Sequence, residues 1–314
     1  ETLDERTQGV RIDINAYADR LDLYGKTVED FVMGADSPAT VRWVESYMTR
    51  TMNNVVLMDA KLDISKTMAD NLFNKFPTTV LCSATLTTNN KFDFIKQRLG
   101  LVPQLMPYRE ITEKQYDSPF NYAEQSLLVV PTDMPNPTHP QFTNAAIEKI
   151  LMAVLASRGN AFVLFTSYSM LKYCFNVLQG RLLEHKLTPM KQGDSTRTAL
   201  INAFKSTRGA VLFGTDSFWE GVDVAGDALR CVVIVKLPFK VPSEPLTQAR
   251  TEAILAKGGD PFMEYTIPNA IVKFKQGFGR LIRNKNDRGC IVCLDSRLVN
   301  KGYGKLFLNS LPRS

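Results

Sequence analysis

From Val10 to Phe31 the apolar residues Val10, Ile14, Tyr17, Leu21, Tyr24, Val28 and Phe31 recur at steps of four and three. That spacing predicts a long amphipathic helix with a heptad-like seam. A breaker cluster from Gly34 to Pro38 ends it, and the period then changes. TVRWVESY and NNVVLMDAKLDI alternate or run apolar as strands do, with a short polar connection that predicts a hairpin. ISKTMADNLFNKF reads as a helix, and TTVLCSATL as a buried strand ending in a Ser-Ala-Thr turn. Beyond the proline-rich loop PTDMPNPTHP the pattern becomes regular: helix Asn144 to Ala156, strand AFVLFTSY, helix Met170 to His185, then an extended TPMKQ. A helix from Thr196 to Lys205, strands AVLFGT and CVVIVKLPF, a helical region from Pro245 to Arg283 and strand CIVCLD complete the chain. Strands alternating with such helices predict an α/β fold, a parallel sheet with helices on both faces, preceded by an N-terminal helical and hairpin segment. No internal repeat or low-complexity tract interrupts it.

Composition narrows the picture modestly. The chain has 314 residues, 44% of them hydrophobic, enough for a substantial core. Lysine and arginine outnumber aspartate and glutamate by 38 to 32, a net charge of +6, which is compatible with a polyanionic partner without requiring one. No apolar run approaches the roughly 18 to 20 residues that span a bilayer, and no leader pattern is present, so a cytoplasmic protein without a membrane partner is expected. The chain begins at Glu1 without an initiator methionine, which fits a piece of something longer.

The five cysteines are Cys82, Cys174, Cys231, Cys290 and Cys293, and one pair has C-x-x-C spacing, in GCIVCLD. Its β-branched surroundings favour a buried strand, where positions three apart point to opposite faces and cannot share a metal. His139 and His185 have no ligand-like spacing to other side chains, so no metal site is expected. YGKT, within the first helix, imitates the end of a P-loop, but Arg20 stands where its first glycine would be and no strand leads into it.

Three expected strands stop at small polar residues: Ser83-Ala84-Thr85, Thr166-Ser167 and Gly214-Thr215. In open parallel sheets ligands bind beyond the carboxyl ends of the strands, so these clusters are expected along one rim. Their hydroxyls suit phosphate oxygens of a nucleotide or a nucleic-acid backbone; capping of the following helices is the other reading. In QGFGRLIRNKNDRG, a helical periodicity places Gln276, Arg280 and Arg283 within roughly 60° of arc. Ile267, Ile271, Phe274, Phe278, Leu281 and Ile282 fall on the opposite side. Gly277 and Gly279 permit close backbone approach at a cost in helix stability. A solvated arginine face is the ordinary explanation of such a pattern. Against it, no acidic residue on this helix is spaced to pair with the arginines. Fixed arginines suit charge on a transferring phosphoryl group, yet the sequence contains no G-x-x-x-x-G-K-[ST] and no D-E-x-H box.

With these segments in order, the sequence resembles the XPD/DinG-like superfamily 2 DNA helicases, the bacterial DinG branch most closely. LCSATL resembles motif III, AFVLFTSY motif IV, VLFGTDSFWEGVDVAGDALRCVVIVKLPF motif V with its downstream strand, and QGFGRLIRNKNDRGCIVCLDSR motif VI. The resemblance runs from about Asp63 to the C-terminus and implies a second RecA-like motor lobe over 63–314. Residues 1–62 are read as the return segment from the family's arch-like insertion. It further implies that Arg280 and Arg283 contact the γ-phosphate of ATP with Gln276 beside them. Glu220, Gly221 and Asp223 would couple nucleotide state to lobe closure; Thr166, Ser167 and Thr215 would touch the DNA backbone; Ser83 and Thr85 would link hydrolysis to strand movement.

The implied protein is an ATP-dependent DNA helicase acting on single-stranded or forked DNA, moving 5' to 3' and serving DNA repair. ATP and Mg2+ would be held mostly by an N-terminal helicase lobe carrying Walker A and B. The family's iron-sulfur cluster would also belong to that lobe, with none in this chain. These 314 residues alone are expected to be inactive. The competing readings are a non-catalytic nucleic-acid-binding module with a RecA-like fold and, more remotely, an α/β transferase, which leaves the ordered motifs unexplained.

Overall fold

The computed structural model describes residues 3–34, 37, 39–48, 52–219, 224 and 226–312. The chain divides into two compact units, residues 1–64 with Pro242–Ala253, and Ser65–Val241 with Ile254–Ser314. In the first unit, α1 (Leu3–Met33) carries the expected stripe, and Val10, Ile14, Tyr17, Leu21, Tyr24 and Val28 are all exposed along it. The P-loop-like tetrapeptide lies inside this continuous helix, where the Thr27 hydroxyl donates to the Leu23 carbonyl at 2.7 Å. Strands β1 (Thr40–Met48) and β2 (Asn53–Lys61) form the antiparallel hairpin, with Thr40 opposite Lys61 and Met48 opposite Asn53. Arg42 braces it, its Nε on Asp59 Oδ2 and its Nη1 on the Gly34 carbonyl, both at 2.9 Å.

The second unit opens with α2 (Ser65–Met68) running into a π-helical turn, Ala69–Phe73, then α3 (Asp93–Leu99) and α4 (Tyr122–Gln125). The alternating part follows: β3 (Ser126–Val129), α5 (Phe142–Ala156), β4 (Ala161–Leu164), α6 (Tyr168–Glu184), β5 (Thr188–Lys191), α7 (Arg197–Ser206), β6 (Ala210–Gly214), α8 (Asp216–Trp219) and β7 (Cys231–Ile234). Helix α9 (Pro245–Ala256) belongs to the first unit up to Ala253. Helix α10 (Ile267–Phe278), strand β8 (Gly289–Cys293) and helices α11 (Arg297–Asn300) and α12 (Gly304–Asn309) complete the second unit. The six strands β3 to β8 form one parallel sheet in the order β3-β8-β7-β4-β6-β5.

The period-two rule of strands builds the core directly. Phe162, Leu164, Leu212, Val232, Ile234 and Ile291 point to one face, against α7, α8 and α10. Their neighbours Val163, Val211, Phe213, Val233 and Val292 point to the other, against α5 and α6. Both faces are covered, as the near-continuous apolar strands require.

Two expectations fail. Residues 78–86, TTVLCSATL, form no strand; Val80 is 81% exposed and Leu81 42%. An apolar run becomes a strand only where a ladder receives it, and the six-stranded sheet pairs none of these residues. The helical region from Pro245 to Arg283 is also broken: Gly258, at φ +76°, closes α9, and α10 stops at Phe278.

The two cysteines of the C-x-x-C pair face opposite ways, Cys293 into one core and Cys290 against the other. The residue facing Cys290 is Cys231, its register partner on the adjacent strand. A hydrogen bond from the Cys231 thiol draws the Cys290 thiol down to about 7, whereas burial pushes Cys174 and Cys293 up to about 12. Iodoacetamide at pH 7.5 should therefore label exposed Cys82 and half-buried Cys290 first, and Cys174, Cys231 and Cys293 only after denaturation. Peptide mapping by mass spectrometry checks the order.

Candidate functional site

The sequence gives Trp219 the one indole in the second unit, and the fold buries it completely between three motif-bearing segments. It ends α8, directly after β6. Its Nε1–H donates to the Phe165 carbonyl at 3.3 Å, the residue immediately before Thr166-Ser167. Its own carbonyl accepts from Arg280, Nε at 3.0 Å and Nη2 at 2.9 Å. Its ring lies under Gly277, where an added Cβ would stand 3.0 Å from two ring carbons. Gly277 is thus required by close approach, as expected; at Gly279 the added atom would meet the Lys275 carbonyl at 3.3 Å and the Gln276 carbonyl at 3.9 Å.

Arg280 and Arg283 do not lie on a helix, contrary to the helical reading. After Phe278 the chain tightens, Arg280 N bonding Gly277 O and Leu281 N bonding Phe278 O, both at 3.3 Å. Two glycines within three residues weaken the helix, and Asp287 captures the amides that would extend the chain's next turn: its Oδ2 accepts from Arg283 N at 2.8 Å and Asn284 N at 2.9 Å. Gln125, nearly buried, donates through Nε2 to the carbonyls of Asn284, Lys285 and Asp287 within 3.0 Å. The arginine loop is therefore held from both sides by groups that leave few of its polar atoms to chance.

Arg280 is only 9% exposed, which removes the solvated-face reading for it. Arg283 is half-buried and lines a broad concavity of about 2200 Å³ together with Lys275, Ser83 and Gly279. That volume exceeds the few hundred to about 1,000 Å³ of ordinary small-molecule pockets. On α10, Gln276 has its Oε1 buried without a hydrogen-bond partner among the described residues, an atom that calls for a partner from elsewhere. Immediately before it in sequence, Lys275 Nζ donates to the Thr87 carbonyl at 2.9 Å and its hydroxyl oxygen at 3.1 Å; burial lowers the Lys275 pKa.

The rim expectation holds for two of its three clusters. Thr166-Ser167 follow β4 and Thr215 follows β6, neighbouring strands of the sheet. Ser83 and Thr85 follow no strand; Ser83 lines the concavity and Thr85 lies in the turn beyond it, with Thr85 N bonded to Ser83 Oγ at 3.3 Å. Ser167 also caps α6, accepting from Met170 N at 3.4 Å. Thr215 does not cap with its hydroxyl, which donates instead to Gln192 Oε1 at 2.8 Å. Glu220, Gly221 and Asp223 lie outside the described residues.

The sequence reading missed Trp219, Gln125, Gln192, Lys275 and Asp287. Trp219 stood within the quoted SFWEGVD, and its type was the available signal, since a lone tryptophan among small polar residues is a large apolar group in need of cover. The others act through contacts across the sheet or between distant segments.

No helix among the described residues is long and apolar enough to cross a membrane, and no three His, Cys, Asp or Glu side chains among them converge as metal ligands. A parallel sheet layered by helices, with an arginine loop before its last strand in sequence, β8, defines a RecA-like lobe. Residues 150–314 match the helicase C-terminal domain family, and the chain belongs to it, as the C-terminal portion of an XPD/DinG-like superfamily 2 helicase. It is 43% identical over 235 residues to the ATP-dependent DNA helicase YoaA of Haemophilus influenzae, covering 75% of this chain and 35% of that protein. It is 35% identical over 300 residues to the 3'-5' exonuclease DinG of Bacillus subtilis, covering 93% of this chain and 31% of that protein. The chain thus spans about a third of the length of these relatives. A solved XPD helicase chain superposes with a TM-score of 0.61 at 17% identity, over 81% of this chain and 45% of that one, a likeness of fold.

Gly277→Ala tests the packing. Alanine favours a helix by up to about 1 kcal/mol, but the indole beneath is fully buried and bonded, so overpacking of about 1–3 kcal/mol should outweigh it. A fall in thermal midpoint is expected for Gly277→Ala and a smaller change for Gly279→Ala.

Proposed function

We propose that this chain is the second motor lobe of an ATP-dependent DNA helicase that couples ATP hydrolysis to movement along single-stranded DNA and to duplex unwinding. The observation that carries the reading is the Trp219 junction, which joins the segment before Thr166-Ser167 to the arginine loop by direct hydrogen bonds. The family membership and the names of the relatives support it. Residues 1–62 serve in this reading as the return from an arch-like insertion, and 63–314 as the lobe.

ATP, when bound between this lobe and a first lobe with Walker A and B, supplies the phosphoryl group and the driving free energy. Arg283 lies on the lining of a concavity too wide for a nucleotide alone and carries the donors that phosphate oxygens need, whereas the orphaned Gln276 Oε1 can only accept and so suits a proton-bearing group rather than a phosphate. Arg283 carries the transition-state contact. Arg280, clamped on the Trp219 carbonyl, holds the loop in place and transmits its position to motif V, where Glu220, Gly221 and Asp223 couple nucleotide state to closure. Thr166, Ser167 and Thr215 face the DNA backbone, and Ser83 with Thr85 links hydrolysis to strand movement. Movement runs 5' to 3', as in the family resembled. Mg2+ would be held by the first lobe. An iron-sulfur cluster does not fit here, because Cys174, Cys231 and Cys293 are buried in the sheet cores and Cys82 is exposed far along the chain; no step is assigned to one.

Arg283→Ala in the full-length protein should lower DNA-stimulated ATPase by about 10³-fold or more while leaving single-stranded DNA binding in place. Unchanged ATPase would remove Arg283 from the nucleotide site. The 314 residues alone should show no ATP turnover and only weak, salt-sensitive binding to single-stranded DNA.

A further inference from the structure

The carboxyl ends of β4, β6 and β5 stand side by side, and the third of these is followed directly by Gln192, a residue no motif marks. Gln192 continues the ladder, its N–H on the Phe213 carbonyl at 2.9 Å. Its side-chain oxygen accepts twice from Thr215, from the backbone N–H at 2.7 Å and from the hydroxyl at 2.8 Å. A backbone N–H can only donate, so the atom it meets is the amide oxygen and the NH₂ group points the other way. The orientation of this amide is thereby settled by its partners.

Proton bookkeeping then separates the rim residues. A phosphate oxygen only accepts. The Thr215 hydroxyl has one proton, and it is committed to Gln192 Oε1, so in this arrangement Thr215 has nothing to donate. The Gln192 NH₂ has two protons and no protein partner among the described residues. Ser167 differs again: its oxygen accepts from Met170 N and Ser169 Oγ, which leaves its proton available.

The turn around Gln192 is built to hold it still. The Tyr168 hydroxyl donates to the Gln192 carbonyl at 3.2 Å. Gly193 has φ +99°, a conformation that favours glycine, and a Cβ there would lie 2.7 Å from that hydroxyl oxygen, so a larger residue would have to displace the tyrosine from its bond. On the far side Asp194 accepts from Lys191 N at 3.2 Å and is paired with the Lys191 ammonium, which offsets its charge beside a polyanion.

We propose that Gln192 is the side chain through which this part of the rim donates to a DNA phosphate, and that Thr215 is the positioning residue that aims its amide. The inference rests on the DNA-binding reading above and assigns the donor within it.

Gln192→Glu separates the roles, because a carboxylate still accepts both bonds from Thr215 but cannot donate to phosphate. Binding of the 314-residue chain to a fluorescein-labelled oligothymidylate is read by anisotropy, with thermal denaturation alongside. Gln192→Glu is expected to weaken binding by about tenfold or more with an unchanged thermal midpoint. The deficit should persist as salt rises from about 50 to about 200 mM, where repulsion by an added carboxylate is progressively screened. Thr215→Val should cost less, about threefold, since its backbone bond to Gln192 remains, and Thr215→Ser should restore wild-type affinity. Wild-type binding in Gln192→Glu, or a loss in Thr215→Val as large as that in Gln192→Glu, overturns the proposal while leaving the DNA-binding reading. Absence of any binding by the unaltered chain overturns both.

Discussion

The junction at Trp219 is the constraint around which the second unit is arranged. An indole buries on the order of 150–250 Å², and this one is wholly covered, with its N–H satisfied by Phe165 O and its carbonyl covered by the Arg280 guanidinium. Each contact restricts a different segment. The N–H fixes where β4 ends, the ring demands glycine at 277, and the carbonyl fixes the first arginine of the loop. A cation so buried needs hydrogen-bonded partners, and the backbone oxygen of Trp219 supplies two of its bonds. In the helicase reading, these are also the segments that meet DNA and nucleotide, so a shift in one cannot occur without repacking at the indole.

Around that junction the rest of the site is held by unusually complete satisfaction of loop polar groups. Gln125 closes three carbonyls of the arginine loop and Asp287 two of its amides. Lys275 reaches the Thr87 carbonyl and hydroxyl. Gln192 does the same for Thr215 on the rim. An exception is Gln276 Oε1, on α10, buried and without a partner among the described residues. A frame this saturated, with an orphaned acceptor left within it, suits a site completed by something outside it.

Much of this was legible in the sequence, and the reasons for the remainder are physical. Short unbroken apolar runs in AFVLF, AVLFG and CVVIV, spaced by helical segments, announced β4, β6 and β7, because such patterning is local. The clustering of Gln276, Arg280 and Arg283 was read from a helical wheel, and a wheel drawn through Gly277 and Gly279 could not see Asp287 holding the amides beyond the helix end. Burial of Arg280 depends on a carbonyl 61 residues away. TTVLCSATL has the composition of a strand, and composition cannot say whether a sheet edge is there to receive it. Gln192 was invisible for the same reason as Cys231 beside Cys290: both pairings are set by the register of neighbouring strands.

The central claim is that the DNA-facing and nucleotide-facing segments are joined through Trp219. It is tested most directly by Trp219→Phe in the full-length protein, which keeps an aromatic ring and the main-chain carbonyl but removes the N–H bond to Phe165. The quantity to measure is the ratio of ATPase rates with and without saturating single-stranded DNA. The account predicts that basal turnover survives while stimulation by DNA falls several-fold; a ratio equal to that of the unaltered protein, in a variant of equal thermal stability, would contradict it.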